Sequence, residues 1–254
     1  MTNLAADDRS RVTLVTGSGA RRVGRAVVEA CAARGDAVVV HALSSAEQAR
    51  RYVEELEARG CAALAVVGDL RNEADVDRIV DETLARFGRI DVLVNSAAVW
   101  TPKPLEDVRA ADVREQFDIN TLGTFLMCRR AGLQMATQLC GGAIVNIGDW
   151  ATRRPYTGYA AYFASKGSIA TITRMFAVEL AARNPKVRVN AVLPGPVMLP
   201  PTLEDDERAA AVAGTLVKHE GAPENVAQAV LSLVDNLFVT GVCLPVDGGR
   251  TIAS

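Results

Sequence analysis

Tyr162 and Lys166 stand four residues apart near the end of an aromatic-rich stretch, 149–166. On a helix that spacing puts both side chains on one face. An ammonium beside a phenol favours the phenolate, so the pair predicts a proton donor that works near neutral pH. A helix can also carry the two residues with no chemistry between them, and the rest of the chain has to decide. Asp149 opens the stretch, thirteen residues before Tyr162, just after an apolar run over 143–147. A carboxyl there is either kept protonated by burial or faces a substrate rich in N–H donors. Its plainer alternative is a surface carboxylate in a site that has lost its activity.

A second constellation is Thr16-Gly17-Ser18-Gly19-Ala20-Arg21-Arg22-Val23-Gly24, between an apolar run over 11–16 and a helical pattern over 23–33. Glycines let the backbone approach a pyrophosphate, and the helix start offers unpaired N–H groups and a positive dipole end. The motif is also compatible with a tight turn and no ligand; its place in the first strand–helix unit points to a dinucleotide. After the second strand, His41-Ala42-Leu43-Ser44-Ser45 offers no carboxylate to hold ribose hydroxyls before Glu47. Arg21, Arg22 and the serine hydroxyls suit a 2′-phosphate instead, so NADPH is expected over NADH. A solvated arginine pair is the alternative.

These residues need a frame to hold them. Apolar runs at 11–16, 37–40, 61–67, 90–94, 143–147, 187–193 and 242–246 read as buried strands, and helical periodicity over 23–33, 46–59, 73–87, 107–139 and 223–235 alternates with them, with a further helix carrying Tyr162 and Lys166. That rhythm predicts an α/β fold: a doubly wound parallel sheet with helices on both faces. Pro194, Pro196, Pro200 and Pro201 open a looser segment, and 195–221 is expected to be a mobile substrate loop.

The chain's 254 residues, 49% of them hydrophobic, suffice for one large domain over 1–254. A net charge of −2 with no basic stripe argues against nucleic acid or an anionic membrane as partner. A polar start without an apolar leader, and no run of spanning length, predict a cytoplasmic protein. Cys31, Cys61, Cys128, Cys140 and Cys243, with only two histidines, are expected to be core thiols and give no metal pattern.

The glycine loop, Asp69-Leu70, Asn95-Ser96-Ala97-Ala98, Asn120, Tyr162 with Lys166, Pro194-Gly195 and Val246-Asp247-Gly248-Gly249 together resemble the short-chain dehydrogenase/reductase family over nearly the whole chain. The resemblance implies a Rossmann-type sheet binding NADPH/NADP. It further implies that Gly17, Arg21, Arg22 and Val23 cradle phosphate, Asp69 and Leu70 meet adenine, and Asn95 and Ala97 line the cofactor. Lys166 then holds the nicotinamide ribose, and the backbone after Pro194, through Gly195 and Val197, holds the carboxamide. Asn120 bends the long helix and anchors a proton-relay water, and the protein is a homotetramer built on its two long helices and C-terminal region. Asp69 as a helix cap and Asn120 as a buried amide remain as alternatives.

Two departures, Arg22 at a usual glycine and Asp149 at a usual serine, look like the pteridine reductase branch, as do His41 and Ser45. Ser44 and one extra residue in the loop depart from it. Trp100 then stands where an aromatic sandwiches the pterin, with Trp150, Tyr156 and Phe163 near the same cleft. The expected small-molecule reaction is hydride transfer from NADPH to a C=N bond of a dihydropteridine of the dihydrobiopterin or dihydrofolate type. Tyr162, assisted by Lys166 and Asp149, supplies the proton. The alternatives are an NADPH-dependent carbonyl reductase for a 3-oxoacyl, sugar or xenobiotic ketone, and a non-catalytic NADP-binding sensor or scaffold.

Overall fold

β-Branched residues fit a pleated surface buried on both sides, and the apolar runs become strands accordingly. The computed structural model describes residues 10–199 and 203–253. In chain order the strands are β1 (Val12–Thr16), β2 (Ala37–Ala42), β3 (Ala63–Val67), β4 (Val92–Asn95), β5 (Gly142–Ile147), β6 (Val187–Pro194) and β7 (Cys243–Val246). The helices are α1 (Val23–Ala33), α2 (Ala46–Ala58), α3 (Glu73–Phe87), α4 (Ala110–Phe117), α5 (Gly123–Thr137), α6 (Ala160–Ala181), α7 (Asp205–Ala213) and α8 (Pro223–Asp235).

All seven strands pair in parallel, in the order β3-β2-β1-β4-β5-β6-β7. This is the doubly wound sheet that the alternation predicts. Successive residues of a strand face opposite sides, so Leu14 and Val39 pack with Ile79, Met127, Ile169 and Leu180 of α3, α5 and α6. Their neighbours Val15, Val38 and Val40 pack with Val27, Tyr52, Leu56 and Val230 of α1, α2 and α8.

The long helix expected over 107–139 is interrupted. Asp118–Leu122 winds as a π turn, with Gly123 N donating to Asp118 O five residues back, and it separates α4 from α5. In the segment after β6, α7 forms and Arg208 pairs with Glu220 (2.7 Å). Pro200 and Pro201 of that segment lie outside the described residues, as do residues 1–9 of the polar start. The cysteines divide: Cys31, Cys128 and Cys243 are buried, Cys61 is half-buried and Cys140 is exposed. Cys140 corrects the expectation of core thiols, because it sits in the turn between α5 and β5 rather than on a packed face.

A strap of buried polar side chains crosses the middle of the sheet. Asn95 Nδ2 donates to Asn146 Oδ1 (2.9 Å), and Asn146 Nδ2 donates to Thr173 Oγ1 on α6 (3.0 Å). The strap fixes the helix that carries Tyr162 and Lys166 against β4 and β5. Asn146→Ala leaves Asn95 and Thr173 each short of a partner, which should cost about 2–4 kcal/mol and lower Tm by roughly 5–10 °C. An unchanged thermal transition by circular dichroism would show that the strap carries no stability.

Candidate active site

Strand order reverses between β1 and β4, so the loops leaving their C-terminal ends part and open a crevice. Register puts Thr16 opposite Asn95, and Asn95 opposite Asn146. Three loops therefore meet at one edge: the glycine loop, 96–100, and the stretch that begins at Asp149.

Asp149 caps a short 3₁₀ turn, Trp150–Thr152. Its Oδ1 accepts from Ala151 N (2.8 Å), which turns Oδ2 toward α6, where it accepts from the Tyr162 hydroxyl (2.8 Å). Lys166, one helical turn beyond Tyr162, is buried, and its Nζ donates to Ile147 O (2.8 Å). Ser165 Oγ donates to Tyr162 O and accepts from Asn120 Nδ2 (2.7 and 3.0 Å).

The electrostatics differ from the expectation of a phenol acidified by its lysine. Burial, then the adjacent Asp149, pushes the Tyr162 phenol well above its ordinary value. Burial draws Lys166 down to about 8, with Asp149 opposing. Burial also raises the Asp149 carboxyl, against the Ala151 N–H, the Tyr162 hydroxyl and the Lys166 charge. A dry site charges one group only at the expense of another, so the phenol keeps its proton and shares it with a carboxylate rather than losing it to the field of the lysine.

Asn120 is fully buried in the π turn. It accepts from Val99 N (2.9 Å) and donates to Val99 O and Gln116 Oε1 (3.0 and 3.1 Å). Its amide therefore works as a strut between the loop after β4 and α6. Trp100, next to Val99, is 43% exposed and stacks on Tyr159 with ring centroids 5.9 Å apart at 22°. Tyr156, Phe163 and Tyr162 continue the cluster from Tyr159, and Trp150 joins it through Tyr156. Tyr159 is the residue before the first turn of α6, and its place three residues before Tyr162 is the signal in the sequence that points to it.

The cradle for a dinucleotide is built from backbone. Gly17 has φ +65°, and a β-carbon there would stand 2.6 Å from Ala97 Cα. Thr16 Oγ1 accepts from Ser96 N and Ala97 N (3.0 and 3.1 Å), tying the two loops together. The first turn of α1 contains no acidic residue, and its cap residue Arg22 makes no side-chain capping bond. Arg21, Arg22 and Ser44 are exposed and Ser45 is half-buried; among the described residues neither arginine has an ion pair. A free helix start, uncompensated guanidiniums and hydroxyls fit a phosphorylated dinucleotide. Of the ammonium N–H groups of Lys166, one meets a protein acceptor, which leaves donors for ribose hydroxyls.

His41 is placed otherwise than expected. Its ring is buried, Nδ1 accepts from Gly17 N (3.0 Å), and Nε2 therefore carries the proton and donates to Gly68 O (3.0 Å). With both nitrogens used, His41 holds the glycine loop and leaves no nitrogen for a ligand phosphate. Asp69 pairs with Arg71 (2.6 Å), and the cap of α3 is Asn72, so Asp69 is not the cap. Leu70 packs beneath the start of α5 at Gly123. Asn95 is buried and, among the described residues, its Oδ1 has no hydrogen-bond partner, while its Nδ2 belongs to the strap. Gly195 N donates to Val246 O, and Val197 bridges to Gly221, so the backbone after Pro194 is held against the end of β7 and the start of α8.

Known proteins resemble this chain over nearly its whole length. Residues 19–251 match a family profile described as enoyl-(acyl carrier protein) reductase. A 3beta-hydroxysteroid dehydrogenase from Eggerthella lenta is 33% identical over 97% of this chain and 95% of its own. A 3-oxoacyl-[acyl-carrier-protein] reductase from Synechocystis is 35% identical, covering 96% and 98%. Among solved structures, a blue fluorescent protein from a metagenomic library in complex with NADPH superposes with a TM-score of 0.85 at 33% identity, covering 94% and 97%.

Burial lowers the pKa of His41 below 6.5, against the Gly68 carbonyl, Asp69 and Asp75. The unfolded chain then binds a proton that the folded chain refuses, so the contribution of neutral His41 is complete above about pH 6.5 and is lost as the pH falls below it. Urea unfolding of wild type and His41→Gln from pH 5 to 8 should show a shallower loss of stability on acidification in the variant. Parallel curves would rule out this role.

Proposed function

The chain belongs to the short-chain dehydrogenase/reductase family, and on that premise we propose that it is an NADPH-dependent oxidoreductase that reduces a C=N bond in a flat, dihydropteridine-type ring. The observation that carries this reading is the 2.8 Å hydrogen bond from Tyr162 to Asp149. A ketone gathers negative charge on oxygen as it is reduced, and an ionised carboxylate in contact with the proton donor opposes that charge. A C=N nitrogen instead takes up a proton, which a phenol and carboxyl held together are suited to supply.

The nicotinamide supplies the hydride when bound. Tyr162 delivers its proton to the substrate nitrogen, the buried Lys166 ammonium favours the phenolate that results, and a proton from solvent returns to that oxygen by way of the Asp149 carboxylate. The amide of Asn120 keeps α6 and Val99 in fixed relation, and the Trp100–Tyr159 stack offers a face to a planar ring. Arg21, Arg22, Ser44 and Ser45 receive the 2′-phosphate, and the NADPH complex of a close structural neighbour supports that choice. Asp69 and Leu70 meet adenine, Asn95 and Ala97 line the cofactor, and the backbone after Pro194, through Gly195 and Val197, lies beside the carboxamide.

The named relatives support a second reading, reduction of a carbonyl, since they are a hydroxysteroid dehydrogenase and a 3-oxoacyl reductase. In that case Asp149 stays protonated by burial and donates to the substrate oxygen. A homotetramer also belongs to the proposal. Phe125 and Leu133 on α5, Met175 and Val178 on α6, and Leu237 and Phe238 after α8 are exposed apolar side chains of the kind that subunit contacts cover.

Steady-state rates on dihydrobiopterin, dihydrofolate and a panel of ketones separate the readings. Asp149→Ser should lower kcat/KM for the dihydropteridine by about 100-fold or more while NADPH affinity stays near wild type. It should also remove a fall in rate on acidification, which in wild type accompanies protonation of the Asp149 carboxylate at a pH that burial raises above the ordinary carboxylate range. Ketone turnover by the wild type without any dihydropteridine turnover would overturn the C=N assignment in favour of the carbonyl one.

A further inference from the structure

We propose that Arg154 and Arg250 form an anion-binding subsite beside the reaction centre, and that the substrate carries a carboxylate- or phosphate-bearing tail in addition to its reacting ring. A cavity of about 160 Å³ is lined by Trp150, Arg154, Pro155, Tyr156, Gly214 and Arg250. It adjoins the catalytic groups through its own walls. Trp150 directly follows Asp149, and Tyr156 packs edge-on against Phe163 of α6 (4.9 Å between centroids).

Both guanidiniums are held in place by neutral groups. Arg250 Nη1 donates to Ala210 O and Ala211 O of α7 (3.3 and 3.1 Å), and its Cζ lies 5.3 Å from the centre of the Trp150 ring. Arg154 Nη1 donates to Arg250 O (3.4 Å) and to Ala253 O. Among the described residues neither has a carboxylate partner, whereas arginines elsewhere on the surface do, Arg25 with Glu55 and Arg78 with Asp75 and Glu82 among them. Two positive charges are thus oriented by carbonyls and an indole face, with no acid to cancel them. Gly214 shows that the space is shaped for Arg250, because a β-carbon there would overlap its Nη1. A guanidinium pair with free N–H forks is matched by a planar carboxylate or a phosphate, and the Trp150 and Tyr156 rings beside it suit an aromatic linker.

The charged subsite follows from the cavity alone; its connection to a flat ring rests on the reading given above. Two measurements keep the two apart. In the first, the NADP-bound protein with Trp100→Phe, which leaves Trp150 as its single tryptophan, is titrated with p-aminobenzoylglutamate and separately with phenyl phosphate while indole emission is followed. Saturable quenching is expected, weakened about tenfold or more by Arg154→Gln and partly retained in Arg250→Lys; the tighter of the two probes identifies carboxylate or phosphate as the natural tail. Absence of saturable quenching, or equal affinity in Arg154→Gln, overturns the subsite.

In the second, kcat and KM are compared for dihydrofolate, which bears a glutamate tail, and dihydrobiopterin, which bears no anion. The preference for dihydrofolate should fall about tenfold in Arg154→Gln, through KM and not kcat. Turnover of both rings with an unchanged preference overturns the subsite and leaves the ring assignment standing. Arginine-dependent binding of a tail fragment without turnover of either ring supports the subsite and removes the ring assignment.

Discussion

The constraint on which everything else rests is that β1 and β4 lie side by side, run the same way, and send their following helices to opposite faces of the sheet. A parallel pair needs a crossover, and two crossovers leaving in opposite directions cannot close the gap between their first turns. Into that gap project the glycine loop, the loop that ends at Trp100, and, one strand over, Asp149. The gap is kept narrow by small atoms. Gly17 lies against Ala97, and the Thr16 hydroxyl receives two amides of the opposite loop.

Burial supplies the chemistry of the second half. Asp149, Tyr162 and Lys166 sit where water is scarce, and each is moved toward its neutral form. Groups that resist charge singly can still exchange a proton among themselves, because the cost of a new charge is reduced by the neighbour that gives up its own. The hydrogen bond between carboxyl and phenol makes that exchange local, and the carbonyl of Ile147 keeps the lysine in reach of it.

Much of this was legible in the sequence, and the parts that were not have physical reasons. Strands such as Val12–Thr16 and Val187–Pro194 are β-branched runs, and helices such as Glu73–Phe87 carry both periodicity and end signals, Asn72 before and Gly88 after. Motif residues such as Asp69, Asn95 and Asn120 are marked by resemblance to a family pattern, which periodicity alone does not supply. The role of His41 was not visible, since it depends on Gly17 and Gly68, which come together only when β1, β2 and β3 pair. The fate of the Tyr162 proton is hidden from the sequence because spacing reveals a neighbouring lysine but not the degree of drying or the contact with Asp149. The exposure of Cys140 is hidden likewise, because an apolar setting in sequence does not say which turn lifts a side chain out.

The π turn at Asp118–Leu122 has a consequence for how the flanking helices relate in angle. An α-helix advances roughly 100° per residue, so one added residue rotates all that follows by about that much. Up to Phe117 the rod presents Gln116 to the amide of Asn120; beyond Gly123 it presents Met127, Ala131 and Met135 to the sheet. An unbroken helix with a single phase would hold only one of these two alignments. The turn acts as a phase shifter between a segment aimed at the crevice and a segment aimed at the core, and a single-residue deletion within it would set the two aims in conflict.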